Sequence, residues 1–178
     1  MNTSQLECCI ESDPALRSYV IGVYAADHLP NRGFHQPYGL IVNTDIHSKS
    51  GQHWVAIYDN GHGQMDFFDS YARSPVENSV HIMQWINPRY KSLVVNRKRI
   101  QSDYSSVCWL YCLYYLRQRL LGESMEDIVN RFNSDIVSYN DFYIYDVMTK
   151  AYSMCFEHMC TYNQTCRPLI KLWICMYN

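Results

Sequence analysis

The chain has no hydrophobic run longer than the ten residues from Val107 to Leu116, which is too short to cross a bilayer. Its opening, MNTSQLECCIESDP, lacks the basic stretch followed by an apolar stretch that a secretory leader needs. Neither sign of charge is in excess: 15 basic and 17 acidic residues leave a net of −2, so no overall field draws the protein to nucleic acid. Internal repeats and low-complexity tracts are missing as well. These absences lead to the expectation of a soluble intracellular protein with no membrane partner. In that compartment eight cysteines are expected as thiols rather than as a disulfide framework. Cys155, His158, Cys160 and Cys166 lie close together in the chain, but not at the paired C-x2-4-C spacing of structural zinc sites. No metal and no cofactor are expected.

What is present is enough chain, 178 residues, for a single domain spanning residues 1–178 with its own core. Tyrosine occurs 16 times, which suits a domain with many half-buried rings. Residues 12–20 read as a short helix with Ser12 or Asp13 capping and Pro14 in the first turn. Residues 28–37, HLPNRGFHQP, read as a loop. Strands are expected at 38–44, 53–59, 64–69 and 92–96, the second and third forming a hairpin. A helix at 75–87 is expected to turn Val76, Val80, Met83 and one of Trp85 or Ile86 inward. From about residue 123 the chain reads as helical. A helix at 124–132 carries a Ser124 cap, and a longer one at 140–159 turns Phe142, Tyr145, Met148 or Thr149, Tyr152, Cys155 or Phe156, and Met159 inward. Arg97, Lys98 and Arg99 make a basic knot that reads as a solvated strand end or as a local contact for nucleic acid.

The most informative stretch is QSDYSSVCWLYC, residues 101–112. A polar loop, with Ser105 or Ser106 as cap, turns into a helix that is apolar on nearly every face and therefore lies inside the domain. Cys108 opens that helix, where the positive end of the helix dipole favours a thiolate, and the thiolate is the nucleophilic form. Taken singly, Cys108 reads equally as a buried core thiol. A thiolate nucleophile needs an imidazole to move its proton, an acceptor to orient that imidazole, and donors for the oxyanion. Among seven histidines, His53 opens a strand beside Trp54, with Gly51 just before it. Asp69 ends the adjacent strand, and antiparallel pairing brings those two ends together. Gln101 is seven residues before Cys108, far enough to loop back with its amide. Each of these alone also fits a strand-end or loop residue.

The ordered set of His53-Trp54, the Asp69-Ser70-Tyr71 strand end and Gln101-x6-Cys108 resembles the adenovirus-type (adenain-like) cysteine endopeptidases. These share a superfamily with the proteases of ubiquitin-like proteins. YVIGVY at 19–24 is similar to that family's Y-F-L-G-x-Y, GLIVNT at 39–44 to its A-I-V-N-T, and SGQHW at 50–54 to its G-G-x-H-W. The resemblance covers about residues 19–116. It implies an α+β fold in which a mixed central β-sheet packs on a buried central helix that starts at the catalytic cysteine, with helices on both sides. It also implies Cys108 as nucleophile, His53 as general base and acid, Asp69 as the group orienting His53, and Gln101 as oxyanion donor with the Cys108 N–H. The implied substrates are polypeptides, viral or virus-like precursor or capsid proteins. The enzyme would act as a monomer in the host nucleus or cytoplasm, or packaged in a virion. Gly51 and Trp54, flanking His53, suit a narrow tunnel for a glycine-containing tail, which also fits removal of ubiquitin or a ubiquitin-like modifier. An inactive binding domain on the same scaffold is a third reading, because Trp109 stands where the family has glycine and would line the substrate space. No cysteine precedes Gln101 closely enough to receive the disulfide-linked peptide activator of the adenovirus enzymes; the basic knot leaves weak nucleic-acid stimulation open.

Overall fold

The computed structural model describes residues 3–31 and 37–152. The elements are α1 (Thr3–Ser12), α2 (Pro14–Tyr19), β1 (Val20–Ala25), β2 (Tyr38–Asn43), β3 (Trp54–Asp59) and β4 (Gln64–Phe68). They continue with α3 (Pro75–Asn78), α4 (Val80–Ile86), β5 (Ser92–Val95), α5 (Cys108–Leu120), α6 (Met125–Asn130) and α7 (Val137–Ala151). The cluster Cys155, His158, Cys160 and Cys166 lies outside the described residues, as do His35 and the end of the helix expected to reach residue 159.

The strands form one sheet in the order β1-β2-β3-β4-β5. It is mixed: β1 runs parallel to β2 and β4 parallel to β5, while the two inner pairings are antiparallel. Both faces are buried, because apolar residues occupy both alternation classes of the inner strands. Ile41, Trp54, Ala56 and Phe68 face a core built with α5 and with Leu6, Leu16, Ile128, Ile144 and their neighbours. Leu40, Val42, Val55, Ile57, Met65 and Phe67 face a second core closed by Ile82, Trp85 and Ile86 of α4. The protein is therefore α+β, with helices on both sides of a mixed sheet.

α5 is the central helix. Nine consecutive residues, Cys108 to Leu116, are buried. Its approach to the sheet is set by Gly39 on β2: a Cβ there would lie 2.8 Å from Leu116 Cδ2, closer than packed carbons tolerate. Polar groups of the helix meet one carboxylate of the sheet. Tyr115 Oη donates to Asp66 Oδ2 at 2.8 Å, and Arg119 Nε lies 3.0 Å from the same oxygen.

Several local expectations change. α1 was not anticipated; Leu6, Cys9 and Ile10 bury its one apolar stripe. The chain over 75–87 is two helices, because Ser79 is extended at φ −165° and resets the phase. Ile82, Trp85 and Ile86 turn inward, while Val76 and Val80 are exposed. On α7 the buried side is Asn140, Asp141, Ile144 and Met148, and Phe142 is exposed. The polar pair was discounted by hydrophobic periodicity, yet both residues are buried because both are hydrogen-bonded. The basic knot is partly structural: Lys98 Nζ donates to the Phe132 carbonyl, and Arg99 Nη2 lies 2.6 Å from Asp103 Oδ1. Among the described residues Cys8, Cys9, Cys108 and Cys112 form no disulfide.

Candidate active site

β3 and β4 pair with Ala56 opposite Phe68. Carrying that register to the strand ends brings the residue before β3, His53, level with the residues just after β4. The ladder with β2 also continues past the strand, since the Thr44 N–H donates to the His53 carbonyl at 3.0 Å. His53 Nε2 then lies 2.7 Å from Asp69 Oδ1. An ionised carboxylate can only accept, so Nε2 carries the proton and Nδ1 is the nitrogen left for the Cys108 thiol, which lies near enough to the ring to favour its charged form. The Tyr71 ring flanks the imidazole with centroids 4.9 Å apart.

Asp69 is fully buried and surrounded by donors. Oδ1 also accepts the Tyr71 N–H at 2.9 Å, and Oδ2 accepts from Asn78 Nδ2 at 2.9 Å and from the Arg73 backbone and Nε, each at 3.2 Å. Its backbone is clamped on both sides by one side chain: the Asp69 N–H donates to Asn96 Oδ1 at 2.9 Å, and Asn96 Nδ2 donates back to the Asp69 carbonyl at 2.7 Å. Burial raises the Asp69 carboxyl, but the His53 hydrogen bond and charge, with the Asn78 and Tyr71 bonds, outweigh it and hold the group below its ordinary value. Burial likewise opposes charge on His53; the hydrogen bonds to Asp69 and Cys108 outweigh it and hold the imidazole above its ordinary value.

Cys108 is buried and is the first residue of α5. Val107 takes the N-cap position without a side-chain bond, so neither Ser105 nor Ser106 caps the helix. Ser105 is engaged elsewhere: its carbonyl and Oγ both accept from Gln101 Nε2 at 3.1 Å. The amide of Gln101 is held at its other end by Ser70, whose Oγ donates to Oε1 at 2.5 Å. Backbone bonds from Ile100 and Gln101 to the Ser70 carbonyl, at 2.9 and 3.2 Å, fasten the loop to the residue after Asp69. The structure thus brings Cys108, His53, Asp69 and Gln101 to one end of the sheet.

The other three expected site residues are Trp54, Trp109 and Gly51. Trp54 and Trp109, 7% and 6% exposed, belong to the core cluster around α5 that also holds Cys108, 5% exposed. Gly51 is needed by the backbone: φ is +75°, and a Cβ would meet Asn43 Nδ2 at 2.2 Å. Gly51→Ala is expected to cost about 1–3 kcal/mol, read from the urea midpoint. Because the same turn delivers His53, the variant should also slow alkylation of Cys108.

Some residues that build the site were not found from sequence. Ser70 and Tyr71 follow Asp69 directly and were noticed only as part of its strand end. Asn96 closes β5, and nothing local marks it as a clamp. Asp141 is 39 residues from its partner: its Oδ2 accepts the Ser102 N–H at 3.1 Å and its Oδ1 the Tyr111 hydroxyl at 2.9 Å. Burial pushes its carboxyl up to about 6 against the bonds from Ser105, Tyr111 and Ser102.

No family model matches the chain. Over 93 residues it is 30% identical to the SUMO-1 cysteine protease of African swine fever virus from a warthog isolate, a match covering 47% of this chain and 34% of that protein. The cysteine protease of the Badajoz strain of the same virus matches with the same identity and shares. Two crystal structures of the African swine fever virus protease are also similar. One has a TM-score of 0.49 at 19% identity, over 74% of this chain and 63% of that one. The other has a TM-score of 0.45 at 26% identity, over 58% and 41%. The chain spans about one third of the length of the curated relatives it matches, and over about half of its own length it is similar to viral cysteine proteases.

Proposed function

We propose that this chain is a cysteine endopeptidase that cleaves polypeptide precursors of a virus or virus-like element at glycine-containing sites, inside the host cell. The observation that carries this reading is the buried Asp69–His53 hydrogen bond beside Cys108 at the start of α5. His53 Nδ1 takes the thiol proton, and the Cys108 sulfur attacks the scissile carbonyl carbon. The resulting oxyanion is met by the Cys108 N–H and by the Gln101 amide, whose Nε2 would exchange one of its two bonds to Ser105 for the oxyanion. The imidazolium returns its proton to the leaving amine as the C–N bond breaks, which leaves a thioester on Cys108. Water then loses a proton to His53 and attacks that thioester; the acid product departs and the thiol is restored. Asp69 keeps the imidazole in the tautomer both halves require and stabilises its charged form.

The test is a peptide ending in a glycine electrophile. The expected result is one adduct per chain, located on Cys108 by mass spectrometry and blocked by prior alkylation. No adduct at Cys108, in protein shown to be folded, would reject the enzyme and favour a silent scaffold. A second reading, removal of a ubiquitin-like modifier, is favoured by the name of the similar viral protease, a SUMO-1 cysteine protease. Labelling by a modifier carrying a C-terminal electrophile, much faster than by the short peptide, would select that reading.

A further inference from the structure

Away from Cys108, three metal-ligating side chains meet at the ends of two parallel strands. Asp27 and His28 follow β1, and His47 follows β2, so both segments leave the sheet at the same end. The Ala26 N–H donates to the Asp45 carbonyl at 3.1 Å, which fixes one segment against the other. His47 Nδ1 lies 2.8 Å from Asp27 Oδ2, and His28 Nδ1 lies 3.1 Å from Asp27 Oδ1. The two imidazoles meet edge to face with centroids 4.2 Å apart. One ligand atom from each of the three residues lies within 4.8 Å of the others. The His47 bonds above all hold the Asp27 carboxyl well below the usual carboxylate range.

A tetrahedral zinc ion with N and O ligands at about 2.0–2.1 Å sets those ligands roughly 3.3 Å apart. The two imidazoles sit 3.1 and 2.8 Å from different oxygens of the one carboxylate, with the three ligand atoms within 4.8 Å of one another, so an ion would draw the exposed imidazoles together on it. Each neutral imidazole would move its proton from Nδ1 to Nε2, so none is gained or lost. Two imidazoles with one carboxylate suit zinc and its neighbours, whereas calcium and magnesium favour all-oxygen shells. The carboxylate is already oriented, because the His47 backbone N–H donates to Asp27 Oδ1 at 2.8 Å. The side chains of His28 and His47 are 58% and 61% exposed, so an ion can reach them.

We propose that Asp27, His28 and His47 form a binding site for a divalent metal of the zinc class that pins the end of β1 to the segment 44–52. That segment delivers His53 at its far end, so occupancy would stiffen the turn that carries the imidazole. The inference does not depend on the proposed protease activity.

It is tested by zinc titration of the full chain in a Cys108→Ala background, which removes the Cys108 thiol as a competing ligand. The same background carrying His28→Asn and His47→Asn, or Asp27→Asn alone, is compared by calorimetry. The expected result is one zinc equivalent fewer, or at least a tenfold loss of affinity at one site, in both variants. Zinc should also raise the Tm of the parent by a shift missing from the variants. Cobalt should give visible bands from this site without a sulfur-to-cobalt band. Circular dichroism establishes that the variants are folded; if the triple replacement is not, His47→Asn alone serves. Equal stoichiometry and affinity in parent and folded variants would overturn the proposal.

Discussion

Asp69→Asn is expected to lower the acylation rate of Cys108 by about 10⁴-fold with little change in substrate affinity. An amide has one acceptor, and Asp69 now satisfies donors on both oxygens. If the amide oxygen keeps the bonds from Asn78 and Arg73, the NH2 faces His53 Nε2, which must then accept. The ring proton moves to Nδ1, the nitrogen toward Cys108, and the base can no longer take the thiol proton. If the amide turns, the NH2 meets the donors of Asn78 and Arg73 instead, and the loop from 69 to 78 loosens. Both outcomes lower the unfolding midpoint, because in the first the NH2 also faces the Tyr71 N–H; single-turnover labelling with a glycine electrophile, set beside urea unfolding, separates them, since the second lowers the midpoint further. With its carboxylate gone, the His53 pKa falls from its raised value, so the acid limb of the pH–rate profile should move to lower pH.

The same pair dictates a stability window. His53 is raised above 6.5, so its contribution is complete below about 6.5 and disappears as pH rises through the folded value. Asp69 is lowered from 3.8, so its contribution is present above about 3.9 and disappears as pH falls through its folded value. Both are in force between those limits. Wild-type protein should gain most over Asp69→Asn there, and the difference in urea midpoints should shrink on either side.

How far this was legible in the sequence depended on the range of each interaction. His53 and Asp69 sit at the ends of one hairpin, where strand length and turn chemistry determine which residues meet; a local pattern reaches that far. The buried sheet was visible in YGLIVN and WVAIYD, whose apolar residues leave no polar face. α5 was visible in its unbroken apolar run and its start at Cys108, though not in its cap: Ser105 was a plausible cap until the Gln101 amide engaged it. What periodicity misses are buried polar residues satisfied from far away. Asn140 and Asp141 hold the Gln101–Ser105 loop through partners about forty residues distant, and a hydrophobic stripe counts them as solvent-facing. The phase error on α4 has a similar origin, because one extended residue, Ser79, rotates every position after it.

Trp109→Ala is expected to cost about 3–5 kcal/mol of stability while leaving the labelling rate of Cys108, per folded molecule, within a few-fold of wild type. Adjacent residues on a helix point about 100° apart, so the cysteine can face the imidazole while its neighbour faces elsewhere. Trp109 is 6% exposed and belongs to the core that α5 builds with the sheet and the other helices. Alanine is the best helix former, so the loss would report packing rather than helix propensity. The competing idea is that the indole occupies space a substrate needs, which a glycine at this position would leave open. That idea predicts the reverse pattern, with stability nearly unchanged and labelling several-fold faster. Urea unfolding and electrophile kinetics on one variant therefore decide whether Trp109 is core or cleft. A large stability loss with near-normal labelling would mean that a bulky residue after Cys108 is compatible with a working nucleophile.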